Sequence, residues 1–277
     1  MPLIEYLRYP IFQRALVASI VAGGTFSLLG TVVVTLNLTT IRFALMHMAL
    51  LGAACSLALN QQPVVGAVVA IVVGSLLLGP LSDRMKMDAG LTSALFMTGS
   101  IAAAFILFYR ARVPAMEAFG LFTGSILAMT ETETWVILIV GTVVLAVFVA
   151  LYREIQLVLY DRELAKLLGV PAEAVRNGLL VLTGLAIGLA MRIVGALLVD
   201  AVMLLPALGA MMIGKSLAQV LVVCSVLGIL SASGGLLLSM AVDLPSGASM
   251  TVVAVMALVV VATIKSILVQ RRGVRDE

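Results

Sequence analysis

The sequence predicts an all-α polytopic membrane protein, a bundle of about eight transmembrane helices with one short return helix. Three observations carry this. Of 277 residues, 62% are hydrophobic and only 11% charged, with a mean hydropathy of +1.22, whereas soluble domains are about 25% charged. A soluble fold of this size would lack polar residues to cover its surface; a bilayer wants apolar residues outside. The apolar runs are long, near the roughly 20 residues that cross a hydrocarbon core. They also lack strict alternation, so helices rather than a closed barrel satisfy the backbone in lipid.

The runs fall at 13–36, 42–59, 63–82, 91–109, 134–152, 178–198, 216–240 and 248–268. Residues 116–129 are too short to span and are expected at the interface. Residues 200–213 are expected to form a short return helix broken at Pro206. Before the first run, Tyr6, Tyr9 and Phe12 suit a membrane–water boundary. Glu5 and the two prolines of this segment argue against a cleavable signal peptide. Cys55 and Cys224 lie in apolar runs without a C-x-x-C pattern, so they offer no disulfide or zinc framework and are expected as small core residues.

Lysine and arginine positions set the orientation. With the C-terminus in the cytoplasm and 200–213 counted as a crossing, twelve of the 17 basic residues face the cytoplasm, Arg42 among them. Four lie outside, and Arg192 falls within a span. That bias fits the positive-inside rule with an outside N-terminus and an odd number of crossings. Glu131, Glu133 and Asp243 then face outward. The net charge of +3 reflects these loops and is no nucleic-acid signal.

The longest hydrophilic cytoplasmic segment is 153–177, REIQLVLYDRELAKLLGVPAEAVRN. Leu164, Leu167 and Leu168 share one helical face. Asp161 suits an N-cap, Gly169 a terminus, and Pro171 blocks continuation. Such a helix is either a surface connector or a docking knob for a cytoplasmic partner.

Candidate chemistry is sparse. Gly209 to Ser216 satisfies G-x-x-x-x-G-K-[ST], but that phosphate cradle works only between a strand and a helix of a soluble α/β domain. Here it joins two apolar segments, so nucleotide binding is rejected. Gly184 with Gly188, and Gly120 with Gly124, have the spacing of close helix packing. Gly234 and Gly235 could permit a kink. Ionisable groups at membrane depth are the better pointer to function: His47, Arg192 and Asp200. His47 is the single histidine. It is either a packing residue bonded to a carbonyl or a pathway ligand for a metal cation, which neutral imidazole suits. Asp200 is either a polar turn residue or a carboxylate at the outer gate.

The pieces LYREIQLVLYDRELAKLLGVP, IVGALLVDAVMLLPALGA and LLLSMAVDLPSGAS, with LFTGSILAMT and RFALMHMALLGA upstream, occur in an order and spacing that resembles one family. It is the membrane permease subunit of the zinc, manganese and iron class of ABC importers, and the resemblance covers nearly the full length. DRELAKLLGVP followed by DLPSGA is its most specific part.

The resemblance implies a fold like that of the vitamin-B12-importer type of ABC permease, a single transmembrane permease domain over 1–277 with coupling segment 153–177. It implies a multi-pass protein of the cell (inner, cytoplasmic) membrane that is not itself an enzyme. Its partners would be a separate ATP-binding subunit, an extracytoplasmic metal-binding protein and a second permease copy in a homodimer. No tightly bound cofactor is expected; the divalent metal is substrate. Asp161, Arg162, Glu163, Leu164, Lys166, Leu167, Leu168 and Gly169 would form the coupling helix seated on the ATPase. His47 would be a metal ligand in the pathway. The family's pathway helix usually reads D-A-L-S-H, whereas this chain has Phe43-Ala44-Leu45-Met46-His47, so the histidine is kept and the carboxylate is not. Asp200 stands where the family generally has a small or apolar residue, and is expected to replace that carboxylate in part. The alternatives are a permease for a metal chelate, siderophore or vitamin, or a self-sufficient secondary transporter, for which no convincing internal repeat is found.

Overall fold

The computed structural model describes residues 8–85, 89–114, 126–194 and 199–273. Among the described residues every regular element is helical. In chain order these are α1 (Pro10–Thr35), α2 (Thr39–Ala58), α3 (Pro63–Met85), α4 (Ala89–Arg110), a 3-10 turn (Ile126–Ala128), α5 (Glu131–Ala150), α6 (Tyr152–Tyr160), α7 (Arg162–Leu167), α8 (Ala172–Val194), α9 (Val199–Ile213), α10 (Leu217–Val242) and α11 (Ser246–Gly273). Six of them, α1, α2, α4, α5, α10 and α11, are long and apolar enough to cross a membrane, and α3 and α9 contain shorter apolar stretches. The expectation for 116–129 falls largely outside the described residues, as does Gly120 with Gly124.

The chain forms two compact units. The first joins residues up to Val34, Ile126–Thr142 and Asp200 onward; the second joins Thr35–Ser125 and Val143–Val199.

In the first unit, α1 and α10 meet at glycines. A Cβ at Gly23 would overlap the Gly228 carbonyl, and one at Gly228 would stand 2.8 Å from Ser27 Oγ. The bare backbones carry two cross-helix hydrogen bonds: Cys224 Sγ donates to Ser27 O at 3.0 Å and Ser225 Oγ to Gly24 O at 2.7 Å. At Gly234–Gly235, where a kink could be permitted, α10 stays helical and makes a close contact: a Cβ at Gly235 would lie 2.6 Å from Met250 N of α11. The expected break at Pro206 does not occur, since α9 continues through it. Proline removes one backbone donor there, and the remaining turns hold the helix.

α5 begins in a reciprocal cap. Thr130 Oγ1 accepts from Glu133 N at 3.2 Å, while Glu133 Oε2 accepts from Thr130 N at 2.9 Å. Arg14 also pairs with Glu131. Replacing Thr130 with Ala should cost about 1 kcal/mol, the usual worth of an N-cap, read as a lower unfolding midpoint in detergent.

The second unit is built on α2, which packs against α3, α4 and α8. Gly52 and Gly66 let α2 and α3 touch, for a Cβ at Gly52 would lie 2.6 Å from Ala70 Cβ. Arg42, counted on the cytoplasmic side at the start of the 42–59 run, lies in the first turn of α2, is 1% exposed, and holds its guanidinium 4.5 Å from the Phe43 ring centroid. That ring face offsets part of the cost of burying the charge.

Candidate functional site

α2 presents its barest stripe at i+4 spacing. Phe43, His47 and Leu51 are partly exposed and Cys55 is exposed, while Leu45, Met46, Met48, Ala49 and Leu50 are buried. Cys224 is buried as expected; Cys55 is not, because it falls on this stripe rather than on the packed face. His47 Nδ1 lies 2.7 Å from the Phe43 carbonyl oxygen, one turn back. A carbonyl can only accept, so Nδ1 carries the proton, and in the neutral ring Nε2 holds the lone pair. An imidazole fixed in this way through its other nitrogen is oriented as a metal ligand.

Asp200 is the second residue of α9 and belongs to the first unit, whereas His47 belongs to the second. The side chains of Asp200 and Arg192 lie outside the described residues. Among the described residues, no three of His, Cys, Asp and Glu cluster as a metal site. One imidazole does not by itself complete a coordination shell.

The 153–177 segment, expected from the resemblance to couple to an ATPase, is fully described. Asp161 caps α7, its Oδ1 accepting from Glu163 N at 2.8 Å and Leu164 N at 3.1 Å. Gly169 ends the helix at φ +82°, in the left-handed region that favours glycine. Val158 of α6, Ala165 of α7 and Ala172 of α8 form a small buried cluster that seats the segment. The opposite face is bare: Tyr160 is 83% exposed, Leu167 85% and Leu168 60%, with Leu164 beside them. Lys166 Nζ donates to Glu163 Oε1 at 3.1 Å and lies 3.6 Å from Glu173 Oε1, and Arg176 lies 3.9 Å from Glu173. The hydrogen bond and charge of Glu163, with a smaller push from Glu173, hold the Lys166 ammonium above the ordinary lysine range. An apolar cleft of about 470 Å³ opens nearby, between Leu151 and Ile155 on one wall and Gly178 and Leu182 on the other; Asn177 is its single polar side chain. It offers a metal almost no ligands.

The nucleotide-loop pattern is disposed of by geometry. Gly209 to Ile213 are helical, and Ser216 caps α10 by accepting from Gln219 N at 3.3 Å. Gln219 Oε1 accepts from Lys215 N at 3.0 Å. The loop closes on itself and follows a helix, α9, with no strand before it among the described residues.

Sequence reasoning missed three features. The Thr130-x-x-Glu133 cap was legible as a capping-box pattern. The burial of Arg42 had no signal beyond its place at the start of an apolar run. The clip between Lys166 and Glu173 crosses a turn that no helical spacing describes.

Among the described residues, six membrane-length apolar helices define a multi-pass membrane protein, and its polar segment 153–177 carries a short, capped and exposed helix. Residues 8–265 match the ABC 3 transport family, and the chain belongs to it. It is 26% identical to the manganese transport system membrane protein MntC of Halalkalibacterium halodurans over 250 residues, covering 90% of this chain and 86% of that protein. It is 27% identical to the chelated iron transport system membrane protein YfeD of Yersinia pestis over 256 residues, 92% of this chain and 86% of that one. The fold is similar to PsaBC from Streptococcus pneumoniae, solved in complex with Fab, with a TM-score of 0.84 at 23% identity and 94% of each chain covered.

Proposed function

We propose that this chain is the membrane permease subunit of an ATP-driven importer for a divalent transition-metal ion: zinc, manganese or iron. The family supports the permease role. The observation that carries the metal is the His47 ring, held through Nδ1 with Nε2 free on the barest stripe of α2. Residues 1–277 act as one permease domain of the cell membrane, with the C-terminus in the cytoplasm. The chain is no enzyme; ATP is hydrolysed by a separate subunit seated on α7. A second permease copy completes the pathway, and an extracytoplasmic binding protein delivers the ion. Asp200 supplies part of the carboxylate character lost at Phe43. No resident cofactor is involved.

Reconstitution with the ATPase subunit tests this. Manganese, zinc or ferrous ion should stimulate ATP hydrolysis and uptake. His47→Ala should lower uptake by roughly tenfold or more, the scale on which disturbed ligand shells weaken metal sites. Asp200→Asn should lower it as well. Normal uptake by both variants would remove these residues from the pathway.

A second reading, a permease for a chelated metal, is favoured by Phe43 and its Arg42 partner. A ring and a buried cation replace a carboxylate, and hard cations prefer oxygen ligands. Stimulation by a ferric chelate but not by free ions would select it.

A further inference from the structure

The paired glycines of α8 have a partner the coupling role does not explain. Ile71 of α3 is fully buried. A Cβ at Gly184 would stand 2.6 Å from Ile71 Cγ2, and a Cβ at Gly188 would overlap Ile71 Cδ1. Isoleucine thus fills the seat left by two missing methyl groups. One turn further along α3, a Cβ at Gly74 would stand 2.5 Å from Met48 Sδ, and Met48 is the residue after His47. At its other end, α8 starts at Ala172, in the cluster that holds Ala165 of the coupling helix. All of these residues belong to the second compact unit.

We propose that Ile71 is a positioning residue, keying the helix that leaves the coupling segment to the helix that carries His47. The proposal rests on the importer reading given above. Close-packed elements do not deform continuously; they move as blocks or slip. α8 alone spans about 18 Å between Ala172 and Gly184 at 1.5 Å per residue. It reaches α2 through the Ile71 seat as well as through direct packing. Displacing α7 therefore carries His47 with it, provided the seat is full and does not slip. The glycine pair serves the stroke, and not stability alone.

The test is a shape exchange. Gly188→Ala adds a methyl group where Ile71 Cδ1 lies, and Ile71→Val removes that one carbon. The permease–ATPase complex is reconstituted, and manganese uptake is measured per ATP hydrolysed, on folded protein only. Gly188→Ala should lower this ratio by about threefold or more, within the range over which packing substitutions modulate coupling. ATP hydrolysis itself should persist. Adding Ile71→Val should restore the ratio toward that of the wild type. An unchanged ratio in Gly188→Ala would overturn the proposal, as would a folded double variant that stays uncoupled. A loss of folded protein with the ratio intact would also overturn it, making the seat purely structural. If the wild-type complex shows no ATP-driven uptake, the importer reading fails instead, and the two failures stay distinct.

Discussion

Leu167→Asp combined with Leu168→Asp should release the ATPase subunit from the permease. Both side chains, at the end of α7 and its C-cap, stand at 85% and 60% exposure among the described residues. Burying a leucine is worth about 1.5–3 kcal/mol. Two lost anchors thus remove roughly 3 kcal/mol or more, which is about a hundredfold in affinity at 1.4 kcal/mol per decade. Two carboxylates forced into an apolar groove add a desolvation penalty. The measurement is co-elution of ATPase and permease on size exclusion. Because the substituted faces are bare, the unfolding midpoint of the permease alone should not move. A complex that stays intact would mean the handle lies elsewhere. Leu164→Ala, at a half-covered position on the same face, should weaken the complex without dissolving it.

Gly23→Leu should cost the fold more than any surface change. Its side chain would drive into the Gly228 carbonyl and stand 2.9 Å from Ala232 Cβ at its first carbon. Forcing α1 and α10 apart also stretches the bonds from Cys224 to Ser27 and from Ser225 to Gly24. Over-packing costs about 1–3 kcal/mol, and each interhelical bond in a membrane is worth about 0.6 kcal/mol. The expected loss of roughly 2–4 kcal/mol is a large share of the 5–15 kcal/mol typical of a folded domain. Unfolding titrations in mixed micelles would read it. Gly99→Leu is the control, since a Cβ there meets nothing within 4 Å; a similar loss in both variants would refute the close-approach account.

The helices were legible because lipid imposes one rule on every span. The run at 134–152 corresponds to α5 at Glu131–Ala150, and 248–268 lies inside α11. Helix ends were less legible where they leave the apolar run. α8 starts at Ala172 rather than 178, because its first turns carry Glu173 and Arg176 and pack on the coupling segment. Single glycines were the least legible feature. Gly184 and Gly188 announce close packing by their spacing. Gly23 and Gly228, on different helices, announce nothing, since only the fold brings them together. The same holds for Cys55, whose apolar neighbours say buried while its angle around α2 says bare. His47 was legible as the single histidine and one of three ionisable groups within apolar runs. A bond to a carbonyl was one of the two readings open there; that the Phe43 oxygen makes it was not legible, because a backbone oxygen one turn away leaves no trace in residue identity.

The exposed Cys55 gives the protein its own reporter. The other thiol, Cys224, is buried and donates to a backbone oxygen. A maleimide dye or nitroxide would therefore attach at a single place without any engineering of the chain. Cys55 lies eight residues from His47 on one helix, about 12 Å at 1.5 Å per residue. Paramagnetic manganese at the imidazole would quench or broaden such a label, and diamagnetic zinc would not. α2 thus carries a built-in spectroscopic ruler beside the residue proposed as a metal ligand.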